Sequence, residues 1–228
     1  MSYFSRVTLD PQRSDAGSLI RQLGAGAYRE HQTIWRLFGH DPKAQRDFLY
    51  RRDEGQRYRR YYVVSHRQPQ DDTGLWRIET KPYTPRLKTG GRLAFSLRAN
   101  PVVTRVDEDG KRRRHDVVMD AKSRMAYKEL PLAKRPVLAG LVEEAGWNWL
   151  LARAPKHGFE VSSRGVRVDA YRPQESGSRK RGENIRFSTL DFEGVLTITD
   201  ADRFVDVLFR GLGPAKAFGC GLLLVRSI

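Results

Sequence analysis

Residues 82–91, Pro-Tyr-Thr-Pro-Arg-Leu-Lys-Thr-Gly-Gly, constrain this chain more than any other stretch. Prolines and glycines at that density end a strand and cannot continue a helix. They divide 228 residues into two parts, each long enough for a small core. Before the break, residues 3–9 alternate and stop at Asp10-Pro11, the pattern of a strand. Residues 27–38 place Ala27, Ile34, Trp35 and Phe38 at helical separations, and Gly39 ends the pattern. Residues 48–52, 61–65 and 76–83 read as three further strands.

After the break the order repeats. Residues 93–98 alternate as a strand, followed by an acidic turn, Asp107-Glu-Asp-Gly, that runs into the basic block Lys111-Arg-Arg-Arg114. Residues 137–152 carry Leu138, Leu141, Val142, Ala145 and Trp149 at helical spacing. Residues 159–163 and 166–171 read as paired strands turning at Arg164-Gly165, and residues 172–186 as a Gly/Ser/Arg loop. Residues 187–198 form another strand, Asp200 caps a helix running to Gly211, and residues 221–225 close the chain. Each part therefore reads as strand–helix–strand–strand–strand, with a second helix in at least one. The expected class is α+β, two tandem ferredoxin-like (RRM-like) domains spanning residues 1–88 and 92–228.

Charge narrows the partner. Lys and Arg number 42 against 27 Asp and Glu, a net charge of +15, and both parts are positive. A folded body with that field favours a polyanion, so nucleic acid is the expected partner. A lone Cys220 leaves no intrachain disulfide and suits a reducing, cytoplasmic setting. No run approaches the ~18 apolar residues of a membrane span, and the N-terminus reads as a strand, not a signal. The five histidines lack metal-ligand spacing, so neither a metal nor a cofactor is expected.

Tyr28 and His31 are three apart on the first expected helix, which puts both on one face. An imidazole titrates near neutrality and can exchange a proton in phosphodiester chemistry, with the phenol holding the phosphate or orienting the ring. The same pair is also ordinary on an amphipathic helix surface. Arg36, on the same helix, could meet a phosphate. Arg172, Arg179, Lys180, Arg181 and Arg186 crowd residues 172–186, which suits either contact with an RNA stem or a solvated loop. Arg57-Tyr-Arg-Arg-Tyr-Tyr62 suits base stacking, or a strand whose alternate tyrosines are core. Gly211, Gly213, Gly219 and Gly221 punctuate a loop that also holds Lys216 and permits tight turns and close approach of another chain. It lacks the Gly-Lys-Ser/Thr of a P-loop.

Phe192-Glu-Gly194-Val-Leu-Thr-Ile-Thr-Asp200 and Gly211-Leu-Gly-Pro-Ala-Lys-Ala-Phe-Gly-Cys-Gly-Leu-Leu223 resemble the C-terminal signature of CRISPR-associated precursor-RNA endoribonucleases of the CasE type. Leu97-Arg-Ala-Asn-Pro101 and Tyr28-Arg-Glu-His31-Gln-Thr-Ile-Trp35 match the same family in the same order. The resemblance implies two ferredoxin-like domains, a catalytic His31 helped by Tyr28, and an Arg-rich hairpin mapping onto residues 172–186 that reads the repeat stem. It places Arg36 at a position that is basic in related proteins. It further implies an enzyme that is monomeric alone, stays on its RNA product and joins the other subunits of a Cascade complex. The expected reaction is metal-independent attack by the RNA's own 2′-hydroxyl, with His31 as acid or base. An RNA-hairpin-binding scaffold without chemistry is the alternative.

Overall fold

The structure is a computed structural model and describes residues 1–12, 26–39, 45–176 and 185–228. Strand β1 (Tyr3–Leu9) sits between β3 (Arg60–Ser65) and β4 (Trp76–Pro82), and β2 (Phe48–Arg52) flanks β3, all antiparallel. Alternation sends Val7, Leu9, Tyr50, Tyr61 and Val63 to one face, where helix α1 (Ala27–Arg36) covers them with Ile34. Tyr61 is thus core, while Tyr58 stays exposed. No second helix forms between β3 and β4. There Asp71 folds the chain back instead, its carboxylate accepting from the backbone N–H of Thr73 and Trp76.

The second sheet joins β10 (Leu223–Ser227), β5 (Arg92–Ala99), β9 (Ile185–Ile198) and β8 (Phe159–Ser176) in that order, again antiparallel. Both sheets share one topology, in which the first and third strands of each unit are central. Two tandem ferredoxin-like units are therefore present, the first lacking its second helix. Helices α3 (Leu138–Leu151) and α4 (Ala201–Arg210) bury Trp149, Leu150, Phe204 and Leu208 against Leu97, Phe192 and Leu196. Asp200 caps α4 as expected, accepting from Arg203 N–H at 3.0 Å. An insertion follows β5: a separate hairpin of β6 (Val102–Val106) and β7 (Arg112–Asp116), then helix α2 (Val117–Arg124).

Two expectations are corrected. Residues 159–163 and 166–171 are not a hairpin but parts of the single strand β8, which pairs with β9 on both sides of two register shifts. A two-residue hairpin turn needs left-handed backbone, and Gly165 does not adopt it. Gly165 instead sits in a register break between Val161 and Val166, opposite Gly194. A Cβ on Gly194 would fall 2.0 Å from the Gly165 carbonyl oxygen, so the break requires glycine there. The expected loop at 172–186 is likewise strand at both of its ends, because β8 runs to Ser176 and β9 begins at Ile185.

The outer face of the first sheet is covered too. Leu49, Val64 and Leu222 are buried there together with Phe4, Tyr83, Phe209 and Leu224, joining the two units.

Candidate functional site

Helix α1 presents His31 toward the second unit. Tyr28 is exposed near the helix start, while His31 is half-buried. The imidazole lies 5.5 Å from the Trp35 ring, 6.5 Å from Phe48 and 6.3 Å from Phe218. Phe218 belongs to a short 3₁₀ turn, Lys216–Phe218, in the glycine loop. The second unit thus completes the surroundings of a histidine that the first unit carries.

The loop reaches that far because of its glycines. Gly211, Gly213, Gly219 and Gly221 all have positive φ. Two of them, Gly211 and Gly219, approach the first unit of the same chain, while Gly213 and Gly221 pack within the second. A Cβ on Gly211 would lie 2.9 Å from Leu49, and one on Gly219 would lie 3.3 Å from the Tyr50 ring. Tyr50 locks the contact by donating its hydroxyl to the Ala217 carbonyl at 3.1 Å. Burial pushes the Tyr50 phenol well above its ordinary range, so it remains a donor.

Electrostatics at this junction are one-sided. Burial, then the Arg46 guanidinium, lower the His31 pKa, with the Ala217 backbone acting against them. Burial and then Arg46 and Arg210 lower Lys216, and burial lowers Arg46 itself. The Nη1 of Arg46 and the Nδ1 of His31 are buried without a hydrogen-bond partner. Arg46 thus acts on both His31 and Lys216, and beside two unpartnered nitrogens this cluster is short of negative charge. An anion would supply it. Arg46 escapes sequence reasoning, since one arginine ahead of a strand shows no periodic or motif signal.

Next to this site a cleft of about 260 Å³ opens between the units, lined among others by Glu30, Tyr50, Arg98, Arg172 and Phe218. Glu30 is one residue before His31 and points elsewhere, accepting from Arg59 at 2.7 Å and Arg52 at 3.2 Å. That anchor fixes the rotation of α1. Arg98 crosses the cleft, meeting Asp191 in two hydrogen bonds of 2.7 and 2.8 Å and Glu54 of the first unit at 2.7 Å. Arg172 has no carboxylate within ion-pair distance among the described residues.

The structure therefore brings Lys216, the glycine loop and Arg172 to the side of the protein where α1 displays His31. It does not bring Arg36, which lines a separate hollow with Thr33, Gln70 and Trp76. Arg186 is engaged across the strands with Glu175 at 2.6 Å. Arg179, Lys180 and Arg181 lie outside the described residues. Cys220 is buried, its thiol pushed up to about 12 by burial. Among the described residues no group of three or more His, Cys, Asp and Glu side chains is placed to hold a metal, and no helix is long and apolar enough to cross a membrane.

Comparison with known proteins agrees with this architecture. The family model for CRISPR associated protein matches residues 2–227. The chain is 35% identical over 213 residues to the CRISPR system Cascade subunit CasE of Escherichia coli (strain K12), covering 92% of this chain and 96% of that protein. It is 32% identical over 145 residues to the CRISPR-associated endoribonuclease Cse3 of Thermus thermophilus, covering 64% and 60%. The solved structure of Thermus thermophilus Cse3 bound to an RNA representing a pre-cleavage complex superposes with a TM-score of 0.71 at 26% identity, over 99% of this chain and 98% of that one. With a whole-chain family match, this curated relative and a shared two-unit fold, the chain belongs to the CRISPR-associated protein family and is of the CasE type.

Proposed function

We propose that this protein is a metal-independent endoribonuclease that cuts CRISPR repeat transcripts at the base of the repeat hairpin. It then stays on the product as a subunit of a Cascade complex. The observation that carries the reading is the junction of His31, Arg46 and Lys216, where basic groups gather around a half-buried imidazole whose Nδ1 has no partner. The relatives named as a Cascade subunit and as an endoribonuclease support the same direction. Residues 1–88 form the domain that carries the proton-transferring helix, and residues 92–228 the domain that grips RNA.

The chemistry follows from RNA itself. The 2′-oxygen attacks the adjacent phosphorus and loses its proton as the bond from phosphorus to the 5′-oxygen breaks. The departing 5′-oxygen takes up a proton, leaving a 2′,3′-cyclic phosphate and a 5′-hydroxyl. His31 performs one of these two transfers, since one imidazole cannot perform both in a concerted step. Tyr28, on the same helix face, orients the phosphate or serves the other transfer. Arg46 and Lys216 stabilise the charge that builds on the phosphorane.

The test is single-turnover cleavage of a labelled repeat RNA in excess chelator. His31→Ala should slow cutting about 10²–10⁴-fold while binding persists, because a general acid or base contributes that much. A deoxy substitution at the attacking hydroxyl should abolish cutting. If wild-type protein holds the RNA uncut, the scaffold reading replaces the enzyme. If the chelator stops cutting and Mg²⁺ restores it, the metal-independent chemistry is wrong.

A further inference from the structure

The basic block that follows the acidic turn has no part in the site described above. It forms β7, and its register on β6 sets Arg113 opposite Arg105 and Arg112 opposite Val106. Strand alternation then divides the hairpin into two faces. On one face Arg105 reaches Asp120 of α2 at 2.6 Å and Arg113 reaches Asp107 at 2.7 Å, so these charges are matched internally. The other face carries Arg112 and Arg114, both exposed. Among the described residues neither has an ion pair, a hydrogen bond or a ring partner.

The root of the hairpin is fixed beside the cleft. Asp116, the last residue of β7, accepts from the Tyr171 hydroxyl at 3.1 Å and from the Ser188 hydroxyl. Tyr171 and Ser188 are the chain neighbours of Arg172 and Thr189, which line the cleft. A two-stranded ribbon is marginal alone, and these bonds hold this one against the second sheet.

We propose that the outward face of the β6–β7 hairpin is a second RNA-contact surface, on which Arg112 and Arg114 hold the phosphate backbone of the strand that leaves the cleft. Their Cα atoms are two strand residues apart, about 6.7 Å, a separation that suits successive phosphates of one extended strand. Exposed guanidinium groups without partners bind phosphates with little loss of existing contacts. Exposed Val106 beside Arg112 offers an apolar edge for sugar and base. The inference rests on the RNA-binding reading of the cleft.

The experiment measures binding of a repeat hairpin RNA with single-stranded flanks as a function of salt, comparing wild type with Arg112→Ala/Arg114→Ala. A matched control removes two exposed charges elsewhere, Arg77→Ala/Arg86→Ala. Losing two single-strand phosphate contacts should reduce the slope of log affinity against log salt by about 1.4, and the control should leave it unchanged. Arg112→Glu/Arg114→Glu should weaken binding further at an unchanged melting temperature. An unaltered slope in the Ala variant, or an equal change in the control, overturns the proposal. Loss of association with another protein subunit at an unaltered RNA slope also overturns it, assigning the face to an acidic protein. If wild type binds no RNA at all, the reading of the cleft fails together with it.

Discussion

His31 and Arg46 show how a residue's chemistry is set by neighbours distant in the sequence. Desolvation and the adjacent guanidinium both favour the neutral imidazole, so His31 titrates below the ordinary 6.5 and is mostly neutral at pH 7 in the free protein. Arg46→Ala removes the positive neighbour, and the His31 midpoint should rise. NMR titration of the imidazole resonance checks this, and a midpoint that stays or falls would show that the two groups do not interact. The inflection in the pH dependence of kcat/KM should move upward in the same variant, because that quantity reports the free enzyme. The sequence marks Tyr28 and His31 as candidates through a helical spacing and a family resemblance, and the structure places both on α1. The sequence does not mark Arg46, because its role comes from a packing arrangement, and packing leaves no trace in a single local window.

At the scale of elements, the glycine loop is the clearest case of backbone conformation deciding an arrangement. Gly211→Ala meets two obstacles: a left-handed φ of 72°, and a Cβ 2.9 Å from both the Gly221 carbonyl and Leu49. With ψ at 160° this backbone lies in a region that essentially only glycine enters, at a cost of about 1–3 kcal/mol for an L side chain. The melting temperature should fall by roughly 2–4 °C for each kcal/mol lost. Gly140→Ala is the contrast, since a Cβ there meets nothing within 4 Å inside helix α3. It should be neutral or raise stability by up to about 1 kcal/mol. Thermal unfolding of the two variants side by side checks both, and equal melting points would contradict the close approach at Gly211. The sequence marked all four glycines of this loop. It misled at β8, where Arg164-Gly165 has turn composition but the strand runs on, because Gly194 across the ladder leaves room for a register break.

For the whole molecule, the decisive contact is the one between the two units. The Arg98 side chain is 13% exposed and joins Asp191 of the second sheet to Glu54 of the first unit. Arg98→Ala would leave Asp191 without its bidentate partner. Breaking a buried pair in this way costs roughly 3–5 kcal/mol. Chemical denaturation should register that loss, and RNA cleavage should fall with it because the glycine loop loses its fixed place against α1. A loss under about 1 kcal/mol would mean that Arg51, which reaches Ser96 at 2.8 Å, compensates locally. The sequence by itself determined the two α+β units, the strands of the first sheet in their order and the positive field, because alternation, capping and charge are local or additive properties. Tertiary structure alone decided that Arg46 presses on both His31 and Lys216, that residues 159–176 form one strand across a register break, and that Arg36 faces away from the site. These depend on which surfaces meet when the outer face of the first sheet is buried against the second unit, and no local pattern encodes that meeting.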